Sequence, residues 1–322
     1  MSILNDVKMS IREANKIGMP KHIARENEQK YIHSYNQLDK CNKIGREFAN
    51  FVRDNYDVKK LFKANETHYR AFLETKKDTT KGHRRNIETA LKLVESGMQA
   101  RAERYNKTPT SFSTEERLIP TAERTENVTD RSYSDKEIND IKALTSENTT
   151  KAINLMSNLG LRVGETANAK VNHIDFEKGV FHIIGGKGGK DREIPIKSDF
   201  LNELESMTHN KDGADNLVST NATVISNDCK NAAYKLNIEN WNGTHGFRHT
   251  YARKEVNEKL TNAEKQMFDK CLTNYSEGKP FNYAIREHEK ETYNKMKSKM
   301  DQVHHNLGHG KNRFDLALRY MG

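Results

Sequence analysis

Four stretches of the chain carry side chains whose types and spacing could do chemistry. In "LGLRVGE", Arg162 follows a helical pattern that ends in glycine, and Glu165 lies three residues on. A half-buried guanidinium needs an anionic partner; an ordinary Arg–Glu pair is the plain alternative. In "GGKGGKDRE", Lys187 sits among glycines that let a hairpin tip turn tightly and approach a ligand. The spacing is not that of a phosphate-binding P-loop, and a solvated hairpin explains it equally well. In "THGFRHTYA", His245 and Arg248 are three apart and share a helix face. An imidazole can move a proton while a neighbouring guanidinium holds charge. A structural histidine is the competing reading.

The fourth stretch is "HHNLGHGKNRFDLALRYMG", with His309 after Leu307-Gly308 and Tyr320 close behind. Phe314, Ala317, Leu318 and Met321 form an apolar stripe at helical spacing, and Tyr320 lies off it. Its hydroxyl is therefore expected at the helix edge, either as a small anchor or held out to react. His305 and His309 are four apart, as metal ligands can be, but no Glu-containing metalloprotease pattern or Cys cluster accompanies them. No metal and no cofactor is expected.

These residues must be brought together by a largely helical frame. The chain has 322 residues, which favours two domains. Its formal net charge of +9 suits a polyanionic partner such as nucleic acid. Residues 1–110 hold 23 Lys and Arg against 14 Asp and Glu, so the excess sits in the first third. That region reads as helices over 1–108. One pattern runs from Tyr31 and Tyr35 through Leu38, Ile44, Phe48 and Phe51. A second uses Tyr69, Phe72 and Leu73. A third starts after Asp78 or Thr79, has Ile87, Ala90, Leu91 and Val94 as its stripe, and stops at Gly97. Lys77, Lys81, Arg84 and Arg85 crowd the start of this third helix. The helix dipole disfavours cations there unless phosphates neutralise them; a solvated basic face is the alternative.

Residues 109–131 read as a linker, with little periodicity. In "SDKE", Ser134 and Glu137 spell a capping box. Two helical patterns follow, the second ending at Gly160, then a short helix and three strand-like runs, "HIDF", "GVFHIIG" and "DREIPI". Helices fill most of the remainder. The fold class is mostly α with a small antiparallel sheet (α+β). Cys41, Cys229 and Cys271 are far apart in sequence and expected to be reduced thiols. The mixed-charge N-terminus is no signal peptide and no run is long enough to span a membrane, so a cytoplasmic, nucleoid-associated protein is expected.

Taken in order, Arg162, Lys187, His245, Arg248, His309 and Tyr320 resemble the signature of the tyrosine recombinase (lambda-integrase-like) family. "NLGLRVGETANAKVNHIDF" looks like its first conserved box, "HGFRHTYA" with "LGH…Y" like its second, and "GGKGGKDREIPI" like its catalytic-lysine hairpin. The resemblance covers most of 133–322. It implies a catalytic domain over 132–322, and it likens 1–108 loosely to a core-binding DNA-binding domain. It also implies a Tyr320 phenolate attacking a DNA phosphorus, double-stranded DNA carrying a specific recombination site as partner, and a homotetramer when two sites are synapsed. The gap from Arg248 to His309 is longer than the family's, which suggests an inserted helical segment near 258–298. A type IB topoisomerase, which uses the same chemistry on one duplex, a catalytically silent DNA-binding protein and a metal-dependent nuclease are the rival readings.

Overall fold

A computed structural model describes residues 2–19, 31–121, 128–186, 189 and 191–322. The chain divides into two compact units, Met1–Glu123 and Arg124–Gly322. In the first unit, α1 (Ile3–Ala14) buries Ile3, Val7, Ile11 and Ala14, four or three residues apart on one face. It lies against α4 (Lys81–Arg104), a helix that starts on the Thr80 hydroxyl. The two helices approach so closely at Gly97 that a Cβ there would lie 1.9 Å from the Ser10 carbonyl oxygen. Gly97 is therefore a contact glycine and not the helix end that its type suggests; α4 continues to Arg104. Between them in sequence come α2 (Tyr35–Tyr56) and α3 (Glu66–Glu74). Their Phe48, Val52, Tyr69 and Phe72 join Leu91 of α4 in the core. Tyr35 begins α2 and is exposed, and Tyr31 lies before the helix, so neither contributes the apolar face read from their spacing.

A buried polar stripe on α4, Glu88, Lys92 and Glu95, holds the chain that follows. The Glu95 carboxylate accepts from the backbone N–H of Phe112 and Ser113, both at 2.6 Å, and from the Ser113 hydroxyl at 2.5 Å. Lys92 donates to the carbonyls of Thr114 and Glu115, and Glu88 accepts from the Leu118 N–H. Phe112 is fully buried. The first part of the stretch read as a linker is thus strapped to the first unit; residues 122–127 lie outside the described residues.

The second unit opens with α5 (Asp135–Ala143), whose Ser134–Glu137 capping box is formed, and α6 (Glu147–Leu159). Gly160 ends α6 at φ +63°, where the Tyr251 ring would lie 2.4 Å from any Cβ. After α7 (Val163–Ala167) the strands β1 (Ile174–Asp175), β2 (Val180–Ile183) and β3 (Arg192–Pro195) form an antiparallel sheet in that order, with Phe181 opposite Ile194. Phe181, Ile183 and Ile194 pack with Leu155 and Leu159 of α6. Helices α8 (Ser198–Thr208) and α9 (Ala222–Lys235) complete this core.

A further core is built by α10 (His245–Lys259), α11 (Asn262–Ser276), α12 (Lys290–Asn306) and α13 (Phe314–Tyr320). The segment read as an insertion near 258–298 supplies α11 and the first half of α12. It seats the last helix: Phe281 stacks on Phe314 at 4.2 Å with the rings 9° apart. The three cysteines are free and buried. No helix among the described residues is long and apolar enough to cross a membrane.

Candidate active site

Five of the six residues singled out in the sequence meet in the second unit. Lys187 lies outside the described residues. Helix α10 presents His245 and Arg248 from its first turn; Arg248 points inward and is fully buried, while His245 is exposed. The turn after α12 presents Leu307, Gly308 and His309, and α13 brings Tyr320. The Tyr320 hydroxyl is 2.5 Å from His245 Nε2. Its ring is buried rather than left at the helix edge. The reason is that three imidazoles surround it. His249 stacks flat on it at 4.0 Å and 4°, and His245 and His309 meet it edge-on at 5.4 Å and 5.2 Å.

The two arginines converge on one carbonyl. Arg248 donates to the carbonyls of Gly160 and Leu307, and Arg162 donates to Leu307 as well, at 3.3 Å. Arg248 is also 3.4 Å from His309 Nε2. A guanidinium only donates, so this contact makes Nε2 an acceptor and leaves the His309 proton on Nδ1. That proton faces His304 Nδ1 at 3.3 Å. Arg248 Nε, His249 Nδ1 and His304 Nε2 are buried and have no hydrogen-bond partner among the described residues.

Burial and the positive neighbourhood act in the same direction. Burial first, and then the charges of Arg248 and Arg162 with His304 also contributing, push His309 down to about 2. Burial, then His245, Arg131 and Arg253, push His249 down to about 3. Burial, followed by the Arg162 charge, lowers Arg248 to about 10. The site thus holds neutral imidazoles beside cationic guanidiniums, an arrangement set to receive an anion.

Glu165 balances part of this charge. Its carboxylate accepts from the Arg162 N–H at 3.0 Å and from the Arg162 guanidinium at 2.7 Å. It also accepts both terminal nitrogens of Arg192, at 3.1 Å and 2.7 Å. Burial alone would raise this carboxyl, but the Arg192 hydrogen bonds, the Arg162 N–H and the two positive charges hold it at about 2. Beside Arg162 and Glu165 a cleft of about 490 Å³ opens, lined also by Asn168, His173, Ile183 and Gly186.

Sequence reasoning passed over His249, Arg192 and His304. A signal existed for His249, four residues after His245 on the same helix face. Nothing in the spacing pairs Arg192 with Glu165 or His304 with His309. Among the described residues no group of acidic, histidine or cysteine side chains could hold a metal ion. Of the cationic residues near the start of α4, Lys77 is exposed beside Glu74, and Lys81 and Arg84 are half-buried. Arg85 donates to the Ile119 carbonyl at 2.8 Å, so it helps hold the strap.

The phage integrase family model matches residues 131–267. The chain is 50% identical to tyrosine recombinase XerA of Pyrococcus furiosus over 52 residues, 16% of this chain and 18% of that protein. It is 40% identical to XerA of Pyrococcus horikoshii over 76 residues, 20% of this chain and 27% of that one. The matches therefore span less than a third of either relative's length. A lambda integrase tetramer bound to a Holliday junction has the same fold: TM-score 0.53 at 14% identity, over 93% of this chain and 75% of that chain. Residues 131–267 thus match the phage integrase family, and the relatives that parts of this chain resemble are tyrosine recombinases.

Proposed function

We propose that the protein is a site-specific DNA recombinase that cuts and rejoins strands through a 3′-phosphotyrosyl intermediate at Tyr320. The observation that carries this reading is the Tyr320 hydroxyl, 2.5 Å from His245 Nε2 and enclosed with Arg248 and His309 although 75 residues separate it from that histidine. Phosphoryl transfer asks a protein mainly for alignment and charge stabilisation, and this cluster is suited to both.

In the proposed step His245 accepts the phenol proton as the phenolate oxygen attacks phosphorus. The new bond joins the Tyr320 oxygen to the 3′ phosphate. The bond to the 5′ oxygen breaks, and Lys187 supplies that oxygen's proton. The guanidiniums of Arg162 and Arg248 turn from the Leu307 carbonyl to the non-bridging oxygens. An arriving phosphodiester carries the negative charge that favours a protonated imidazole, so His309 takes up a proton and donates through Nε2. Rejoining runs the same transfers backwards with another strand's 5′-hydroxyl. The phosphodiester energy is kept in the phosphotyrosine, so the exchange needs no nucleotide cofactor.

Duplex DNA with a defined site is the proposed partner, and Lys77, Lys81, Arg84 and Arg85 of the first unit are the proposed phosphate contacts, Arg85 sharing that work with its hold on Ile119. A tetramer on two sites is the proposed working assembly, in line with the lambda integrase tetramer above. A cytoplasmic location follows from that substrate. The test is to offer nicked suicide duplexes, from a randomised pool, to the wild type and to Tyr320→Phe. A covalent adduct formed by the first and lost in the second supports the reading; an adduct that survives the substitution refutes it.

A further inference from the structure

We propose that Arg192 is a positioning residue for strand cleavage, the side chain that sets Arg162 and His309 at their working separation. This inference rests on the recombinase reading above.

Arg192 opens β3, opposite Ile183 of β2, and its side chain is only 4% exposed. A buried guanidinium must have its donors answered. Two of its nitrogens bind the two oxygens of Glu165, a forked geometry that a lysine cannot reproduce. The third, Nε, donates to the Asn306 carbonyl at 2.8 Å. The guanidinium also lies against Gly308: a Cβ there would be 3.0 Å from its terminal nitrogen and 3.2 Å from its central carbon. Gly308 has φ +63°, so both the conformation and the space demand glycine. The glycine of Leu-Gly-His is thus the seat of Arg192.

The consequences run to both sides. Through Glu165, Arg192 holds the carboxylate that orients the Arg162 backbone and guanidinium. Through Asn306 and Gly308 it brackets Leu307, whose carbonyl receives Arg162 and Arg248, and it fixes the turn from which His309 projects. Its hydrogen bonds among the described residues go to Glu165 and Asn306, not to Tyr320 or His245, so it acts through other residues. Arg192 also stands five residues after Lys187 in the sequence.

The test uses a nicked duplex recovered by covalent capture on the full-length wild-type protein from a randomised pool. Arg192→Met and Arg192→Lys are compared with wild type in three measurements: duplex binding, melting followed by Trp241 fluorescence, and single-turnover adduct formation at saturating duplex. In both variants adduct formation should slow about 100-fold while duplex binding stays within about twofold. The lysine variant keeps the charge and loses the fork, so its failure separates geometry from electrostatics. A folded variant that forms adduct within about threefold of wild type overturns the proposal. So does a loss of binding as large as the loss of cleavage, which would make Arg192 a DNA contact, and so does unfolding of both variants below the assay temperature, which would make it purely structural. If the wild type itself captures no duplex, the recombinase reading falls first and this inference with it.

Discussion

The two units bury charge in different ways. On α4 of the first unit, Glu88, Lys92 and Glu95 are each answered by the backbone or hydroxyls of residues 111–118. In the second unit, Arg162 and Arg192 share one carboxylate, Glu165, while Arg248 donates to the carbonyls of Gly160 and Leu307. Three buried nitrogens around them, on Arg248, His249 and His304, have no partner among the described residues. Buried charge that is fully answered holds a strap in place. A buried guanidinium that is incompletely answered, set among neutral imidazoles with free nitrogens, is poised for an incoming anion. The first arrangement contributes to stability, and the second is the one we assign to chemistry.

Substitutions on the two sides should separate these roles. Arg248→Met should lower single-turnover adduct formation by about 1000-fold or more, as losing a preorganised charge at a transition state does. Cleavage at an undiminished rate would remove this arginine from the proposed reaction. Glu95→Ala should do the reverse. It strips an acceptor from Phe112, Ser113 and the Ser111 hydroxyl, so denaturant melts should show a loss of about 3 kcal/mol in the first unit. Adduct formation by the folded variant should stay within about twofold of wild type.

Acid should weaken the second unit. Its His309, His249 and His304 are held at about 2, 3 and 4, against 6.5 for an ordinary histidine. Below pH 6.5 the unfolded chain binds protons that the folded unit refuses, so stability falls as pH falls from that point. Glu165 acts with the same sign at lower pH: its ion pairs contribute fully above its ordinary 4.5 and are lost as pH drops towards about 2. Trp241, the protein's one tryptophan, stacks on Tyr133 in this unit and reports its unfolding. The denaturant midpoint read from its emission should be lower at pH 5.5 than at pH 7.5; a flat profile would contradict the burial of neutral histidines. The smallest effect belongs to the exposed Lys77. Replacing it with Ala should reduce the salt slope of DNA binding by about one and leave cleavage at saturation alone.

Local order was legible in the sequence where a short pattern specifies it. The Ser134–Glu137 box, the Gly160 stop, the three strands and the α+β class all follow from neighbours in the chain. The chemical residues could be picked out because their types are rare in combination, and five of them do converge. What escaped depends on long-range contact. Gly97 looks like a helix stop until α1 is laid against it. The start of the linker looks unstructured until Glu95 and Lys92 reach it. Tyr320 looks like an edge residue until His249 stacks on it. Arg192 looks like a hairpin charge until Glu165, 27 positions earlier, is seen beside it.

In the proposed reaction Tyr320 becomes bonded to DNA. Nuclease digestion of the captured adduct, followed by mass spectrometry of the proteolysed protein, reads that bond directly. A nucleotide joined through its 3′ phosphate should be found on the peptide that contains Tyr320. A nucleotide on any other residue, or one joined through its 5′ phosphate, would contradict the proposed reaction.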